Sequence, residues 1–485
     1  MNISIKKVSH ISPGQSVVCI IGRDAIPAAV KLSDGEKEYA LRKIRGQNDH
    51  VYINTLSRFI YIIRLRDDLP YYRMIEDVRR KASEMKKLIK SDNHSELVIT
   101  SDNSHKGVAE AFAEGFILGI YSFGKYKTGV DEKEKTRYPG KILLHGVKDK
   151  EAVERLTVLC EAVYMARDLI NEPPNHLNAT ALAREIRKMG NSAGFMTEVL
   201  NKGRIEALRM GGLLAVNRGS VDPPVFCILE WRPEKKVNRK PVVLVGKGVM
   251  YDSGGLNIKT GDYMSQMKAD MAGAATVAGV MYVMAKCRVP VHVIGLIPAT
   301  DNRPGGNAYT QGDIITMYNG TTVEIGNTDA EGRLLLADAI SYAGKYSPEL
   351  IIDIATLTGT AAVTFGNQAI AALGNAPEKY FEALEDAGNE VYERVARLPF
   401  WEEYKYLLKS DIADIKSTGG REAGTITAGK FLETFTDHPF IHLDIAGTGI
   451  LKKDDYYRIK EGPASGLRLL SAFLKRIADR QIKND

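Results

Sequence analysis

Four stretches of this chain share one form, an unbroken apolar run that ends in Gly, Thr or Asp. They are "PVVLVGKG" from Pro241, "VHVIGLIPAT" from Val291, "LIIDIATLTG" from Leu350 and "FIHLDIAG" from Phe440. Segments of helical period separate several of them, for instance "GAATVAGVMYVMAK" and "GRLLLADAISYAGKY". A strand that is apolar at every position must be covered on both faces, and intervening helices supply the cover. The pattern predicts an α/β fold built on a largely parallel or mixed sheet. In such sheets ligands bind beyond the carboxyl ends of the strands, so the polar residues just after each run carry the interest.

The first 150 residues repeat the alternation less strongly. "SVVCIIG", "ELVIT" and "ILLHG" read as buried strands, and "YYRMIEDVRRKASEMKKLI" as a helix with a charged outer face. In "KGVAEAFAEGFILGIY", Val108, Phe112, Phe116 and Ile120 recur every four residues, which predicts one apolar helix stripe. The charged stretch "KTGVDEKEKTRYPGK" precedes the third strand. A chain of 485 residues is too long for one core. The division expected is a smaller N-terminal α/β domain over residues 1–149, a connecting helix over 150–170 and a larger α/β domain over 171–485. The helix should stop at "NEPPN", where paired prolines block continuation.

Apolar residues make up 44% and charged residues 26%, which argues against a disordered chain. The net charge of +6 is spread among interleaved acids, with no Arg/Lys block carrying aromatics, so no nucleic-acid groove is indicated. Cys19, Cys160, Cys227 and Cys287 form no CxxC pair and read as buried free thiols of a reducing cytosol. The N-terminus lacks the apolar core of a signal peptide, and no segment is long enough to cross a bilayer. A cytoplasmic protein without membrane attachment is expected.

"NTDAEGRL", residues 327–334, sets Asp329 and Glu331 one residue apart and follows them with Arg333. Such a pair repels, and raises its own pKa, unless positive charge is near. The stretch after the first apolar run adds Lys247, Asp252, Lys259 and Asp270 among small residues that allow close backbone approach. Four clustered carboxylates call for about the charge of two divalent cations, which would leave Lys259 and Arg333 as free cations. Oxygen ligands suit Mg2+, Mn2+, Co2+ or Zn2+. HExxH and GxxxxGK[ST] are absent, and the nine histidines form no ligand-spaced pair. Taken singly, each residue has a plainer reading: Asp252 as a turn residue, Asp270 as a helix cap, Glu331 and Arg333 as a surface ion pair. Met267 and Thr356 alone would be packing residues. Asp338, Asp353 and Asp444 read as structural, and His442 as a hydrogen-bonded core histidine.

"NTDAEGRL", "VGKGVMYDSGG", "MKADMAGAA" and "HLDIAG" resemble the motifs of the leucyl aminopeptidase (cytosol aminopeptidase, M17) family. "ARDLINEPPN", "DNRPGGNAYTQGDIITMYNG" and "DIATLTG" extend the resemblance over most of residues 160–450. It implies a macro-like N-terminal domain, a C-terminal metallopeptidase domain and a homohexamer of two stacked trimers. Asp252, Asp329 and Glu331 would hold one metal, and Lys247, Asp252, Asp270 and Glu331 the other, with Mn2+ or Zn2+ foremost. Lys259 and Arg333 match the two catalytic positions, Arg333 binding a bicarbonate ion. Met267, Thr356 and Gly359 align with the pocket for the first side chain, and the Leu357 carbonyl with a substrate hydrogen bond. The substrates implied are peptides with a free N-terminus, preferably Leu- or Met-like. Arg303 and Lys430 stand where the family carries less polar residues, which bears on subsites and subunit contacts. The rival readings are a two-metal phosphoesterase, indifferent to a free amine, and a binding module whose N-terminal domain takes a nucleotide or DNA.

Overall fold

Val17–Ile21 is apolar at all five positions, and all five side chains are buried in the computed structural model of the chain. The structure describes residues 1–479 apart from 2, 23–24, 47, 103 and 129–137, so most of the charged stretch "KTGVDEKEKTRYPGK" lies outside the described residues. The chain divides into two compact units. One is Met1–Tyr164 with Asp454–Ile459, and the other is Met165–Lys453 with the residues from Lys460 onward. A helix over Lys150–Asn171 contains the first crossing and ends two residues before Pro173.

The first unit has six strands: β1 (Ser4–Val8), β2 (Val17–Ile21), β3 (His50–Asn54), β4 (Phe59–Arg64), β5 (Glu96–Ser101) and β6 (Lys141–His145). Their order is β1-β6-β5-β2-β4-β3, parallel except for β3 against β4. The helix Val108–Gly119 departs from the single stripe expected, because it is buried on nearly every side. It packs between β5 and the helix Tyr71–Glu84. Its small residues permit this: a Cβ on Gly115 would lie 2.2 Å from the Arg79 carbonyl oxygen. Within the same packing, Arg79 Nε pairs with Glu114 at 2.7 Å, and Tyr457 donates to Glu76 at 2.7 Å.

The second unit is built on nine strands: β7 (Met196–Leu200), β8 (Val225–Trp231), β9 (Val242–Gly246), β10 (Gly248–Asp252), β11 (Val293–Asn302), β14 (Leu350–Ala355), β15 (Ile370–Gly374), β16 (Val395–Arg397) and β18 (Phe440–Asp444). Their order is β16-β15-β18-β14-β9-β11-β8-β7, with β10 beside β11. The short strands β12 (Ile314–Thr316), β13 (Thr322–Glu324) and β17 (Ile415–Lys416) form a separate small sheet. The large sheet is mixed, and helices Ala272–Lys286 and Gly332–Ala343 pack on it. The protein is thus α/β, with a smaller N-terminal unit and a larger C-terminal one around a central mixed sheet.

Asp338 anchors this second unit. It is fully buried on helix Gly332–Ala343 and accepts from the Leu213 and Tyr318 backbone N–H groups, at 3.0 and 2.9 Å. Burial pushes its carboxyl up to about 7 even though those N–H groups pull it down. The native protein therefore holds this proton above the pH at which the unfolded chain loses it, and its contribution to stability falls as pH rises from about 4 to 7. Asp338→Ala leaves both N–H groups buried and unpaired. It is expected to lower the unfolding free energy by about 3 kcal/mol, measured by urea denaturation, and to flatten that part of the pH profile.

Candidate metal centre

β9, β10, β11, β14 and β18 run parallel, so their carboxyl ends share one edge of the sheet. Lys247 follows β9, Asp252 ends β10, Thr356 follows β14 and Asp444 ends β18. The helix Ala272–Lys286 begins against this edge. The Lys247 N–H donates to the Ile354 carbonyl at 3.2 Å, and the Ala274 N–H to the Lys247 carbonyl at 2.9 Å. Only glycine fits at position 273, since a Cβ there would lie 2.1 Å from the Ile354 oxygen. Asp270 precedes this helix, and its Oδ1 accepts from Lys247 Nζ and Thr356 Oγ1, each at 2.8 Å. Asp329 sits in a turn where its own N–H donates to Asn327 Oδ1, and Glu331 immediately precedes helix Gly332–Ala343.

These segments bring the seven charged residues named from the sequence into one neighbourhood. Lys247 Nζ stands 2.8 Å from Asp270 and 2.9 Å from Glu331. Lys259 Nζ stands 2.7 Å from Asp252 and 2.5 Å from Asp329. Lys259 thus pairs with two of the carboxylates. Asp252, Asp329 and Glu331 each present an oxygen within 4.8 Å of the other two. All but Lys259 and Asp329 are buried. Asp252 also keeps its plainer role, since its Oδ1 accepts from the Gly254 N–H at 2.9 Å.

The electrostatics carry one message. Burial opposes the charge of Lys247, but Asp270, Glu331 and Asp252 outweigh it and hold the ammonium above its ordinary range. The same balance raises Lys259. Burial, reinforced by Glu331 and Asp252 against Lys247, drives the Asp270 carboxyl well up. Burial and the charges of Asp252 and Glu331 push Asp329 up to about 6 despite Lys259. Lys247, Lys259, Asp270 and Asp329 shift toward holding protons because four carboxylates face two lysines in a dry place.

Arg333 lies beside this cluster without joining its ion pairs as far as the described contacts show. Its Nη1 donates to the Ser417 carbonyl at 2.8 Å, and its buried Nε has no hydrogen bond. Burial lowers the guanidinium to about 10, with Glu331 and Asp444 opposing. Thr356 Oγ1 donates to Asp270 at 2.8 Å, and its carbonyl accepts from Lys247 at 3.0 Å. The Leu357 N–H and the Thr358 hydroxyl are held by Asp444, at 3.2 and 2.6 Å. Gly359 is exposed, with open space where a side chain would begin. Met267 is half-buried in the 3-10 segment Gly261–Ala269, which Asp270 follows.

Asp353 and His442 are paired across β14 and β18 at 2.7 Å, both fully buried. His442 is thus a hydrogen-bonded core histidine. Of the two departures, Arg303 pairs with Asp301 and covers the Tyr251 ring, while buried Lys430 pairs with Glu402 and Glu433 above the Phe400 ring. Cys19, Cys160 and Cys227 are buried, and Cys287 is half-buried. Sequence reasoning passes over Asn302, which ends β11 and contacts Asp252. Its one signal was a polar residue closing the run "VIGLIPATDN".

A divalent cation fits this donor set. Asp270 Oδ2, Asp329 Oδ1 and Glu331 Oε1 meet a lysine ammonium, at 2.8, 2.5 and 2.9 Å, and Glu331 Oε2 is buried with no hydrogen bond. Buried carboxylate oxygens are otherwise almost always satisfied. Hard oxygen donors, an excess of negative charge and three carboxylates, Asp252, Asp329 and Glu331, with oxygens within 4.8 Å of one another are what such ions require.

Fold and site together define a metal-dependent hydrolase of the α/β class. Residues 164–471 match the family described as "Cytosol aminopeptidase family, catalytic domain". A probable cytosol aminopeptidase of Chlorobium luteolum is 45% identical over 395 residues, 76% of each chain. One from Geobacter sp. is 42% identical over 372 residues, 76% of this chain and 75% of its own. Among solved structures, the bottromycin maturation enzyme BotP in complex with Mn is similar with a TM-score of 0.84. It is 27% identical, and the match covers 96% of this chain and 100% of that one. The chain belongs to the cytosol aminopeptidase family. It is a metallo-aminopeptidase, a hydrolase acting on peptides. Among the described residues no helix is long and apolar enough to cross a membrane.

Proposed function

We propose a cytoplasmic two-metal aminopeptidase that releases N-terminal amino acids, preferably Leu- or Met-like, from peptides with a free N-terminus. The observation that carries the two-ion reading is the gathering of four carboxylates, Asp252, Asp270, Asp329 and Glu331, around only two lysines, with Glu331 Oε2 buried and unmet. Asp252, Asp329 and Glu331 would hold one ion. Lys247, Asp252, Asp270 and Glu331 would hold the other, with Lys247 giving up its proton to do so. Mn2+ or Zn2+ are the ions proposed, Mg2+ and Co2+ being compatible with the same donors. Bound there, the ions supply Lewis acidity and a nucleophilic water near neutral pH.

The protein's own groups then divide the remaining work. Lys259 donates to the oxyanion that develops on the scissile carbonyl, where a fixed cation in a dry site has most effect. Arg333 stays protonated under ordinary conditions and cannot be a base. It would hold a bicarbonate ion, which would supply a proton carrier beside the leaving amine, and its Nε makes no hydrogen bond that would compete for that anion. Asp270 lies where the uncharged α-amino group is received, which restricts cleavage to the first residue. Met267, Thr356 and Gly359 line the pocket for that residue, and the Leu357 carbonyl accepts from the substrate. A methionine-lined apolar pocket discriminates loosely among side chains of similar size. Assembly as a homohexamer of two trimers belongs to the same reading.

The test is hydrolysis of leucine p-nitroanilide and its N-acetyl derivative by protein loaded with Mn2+ or Zn2+. Release from the free amine alone is expected. Equal turnover of the blocked compound, or none of either, would sink the reading.

A further inference from the structure

β10 and β11 run side by side in a register that sets Asp252 opposite Asn302. Asn302 is fully buried. Its Nδ2 donates to Asp252 Oδ1 at 2.9 Å and to the Thr328 carbonyl at 3.0 Å. Those two acceptors fix the face of the amide, because a flip would set its Oδ1 against two other oxygens. Its Oδ1 is itself buried without a hydrogen bond, and leaving such an acceptor unmet costs about 1–3 kcal/mol. The backbone of the same residue accepts from Ser253 twice, from N–H at 3.0 Å and from Oγ at 2.8 Å. One residue therefore joins the segment that carries Asp252 to the segment that carries Asp329 and Glu331.

We infer that Asn302 is a positioning residue of the metal centre, whose amide sets the plane of the Asp252 carboxylate and its separation from Asp329 and Glu331. The inference rests on the two-metal reading above. Carboxylates crowded together repel, and each can swing away by rotating about its side-chain bonds. A hydrogen bond to Oδ1 prevents that rotation in Asp252 and leaves Oδ2 facing the centre, where Lys259 now lies 2.7 Å away. Tying the same amide to the Thr328 carbonyl, one residue before Asp329, fixes the spacing between the two ligand-bearing segments. Partners that orient a ligand in this way govern affinity without touching the ion.

The experiment measures Mn2+ dissociation constants on metal-free protein by isothermal titration calorimetry, for wild type, Asn302→Leu and Tyr309→Phe. Leucine is close to asparagine in size. It leaves Asp252 Oδ1 with the Gly254 N–H, and the Thr328 carbonyl with the Tyr309 hydroxyl at 2.7 Å. Asn302→Leu is expected to weaken Mn2+ binding about 10–100-fold. The Mn2+ concentration for half-maximal activity should rise in step, with KM for leucine anilide unchanged at saturating metal. Tyr309→Phe removes a donor from the same carbonyl but leaves Asp252 alone, so its affinity should stay within about threefold. Wild-type affinity in Asn302→Leu, or equal weakening in Tyr309→Phe, overturns the inference. If thermal melting shows that the leucine variant is unfolded, Asn302→Ala takes its place. Failure of both to fold makes Asn302 a plain core residue and also overturns the inference. A wild type that binds no Mn2+ defeats the metal reading itself, a result distinct from an unaffected variant.

Discussion

Glu331→Gln protein is expected to be folded, depleted of divalent ions and slower by at least about a thousandfold in kcat/KM, a loss of about 4 kcal/mol in transition-state stabilisation. Glu331 is 1% exposed, and neither of its oxygens makes a hydrogen bond. Its one close charge partner among the described residues is Lys247, at 2.9 Å. Glutamine keeps the shape but replaces one donor oxygen with an amide nitrogen that cannot coordinate, and it removes one buried charge. Lys247 keeps Asp270 at 2.8 Å, so removing one of four crowded carboxylates relieves repulsion without stranding the ammonium. The variant should therefore melt no lower than wild type without metal. Metal content by elemental analysis, anilide kinetics and a thermal melt decide the matter together. Full metal content with activity within tenfold of wild type would refute the assignment of Glu331 as a ligand.

The second large effect is expected from adding a single methyl group. A Cβ on Gly332 would lie 2.4 Å from Lys247 Cε and 2.7 Å from its Nζ. A lysine end is usually flexible enough to yield, but this one is 3% exposed and fixed by Asp270, Glu331 and the Thr356 carbonyl. Gly332→Ala must therefore displace the Lys247 ammonium, and with it one donor of the proposed inner site. Misplacement by about 1 Å at a reacting centre costs on the order of 100-fold in rate. Alanine is also the better helix former, so secondary structure by circular dichroism should be intact while kcat falls by about that factor. Unchanged kcat would mean that Lys247 can move without consequence.

How much of this was legible in the sequence depended on whether the signal was local. The apolar runs closing near Gly246, Thr300, Ala355 and Asp444 announced the strand ends that carry Lys247, Thr356 and their neighbours. The close spacing of Asp329, Glu331 and Arg333 was equally readable. The helix Val108–Gly119 was misjudged in width because alanine and glycine give no hydropathy signal, although they allow tight packing on two sides. The pairing of Lys259 with Asp252 and Asp329, and the donation from Arg333 to Ser417, depend on chain segments that sequence spacing does not join. Asn302 was hidden for a different reason. A polar residue at the end of a strand looks like any turn residue until the neighbouring strand shows what its amide faces.

Tyr457 and its neighbours, residues Asp454–Ile459, belong to the unit formed otherwise by the first 164 residues. Domains commonly fold in order as they leave the ribosome. Here the first unit still lacks the hydroxyl that meets Glu76 until residue 457 has been made. Its completion must wait for residue 457, so the unit translated first is finished long after its own strands have emerged.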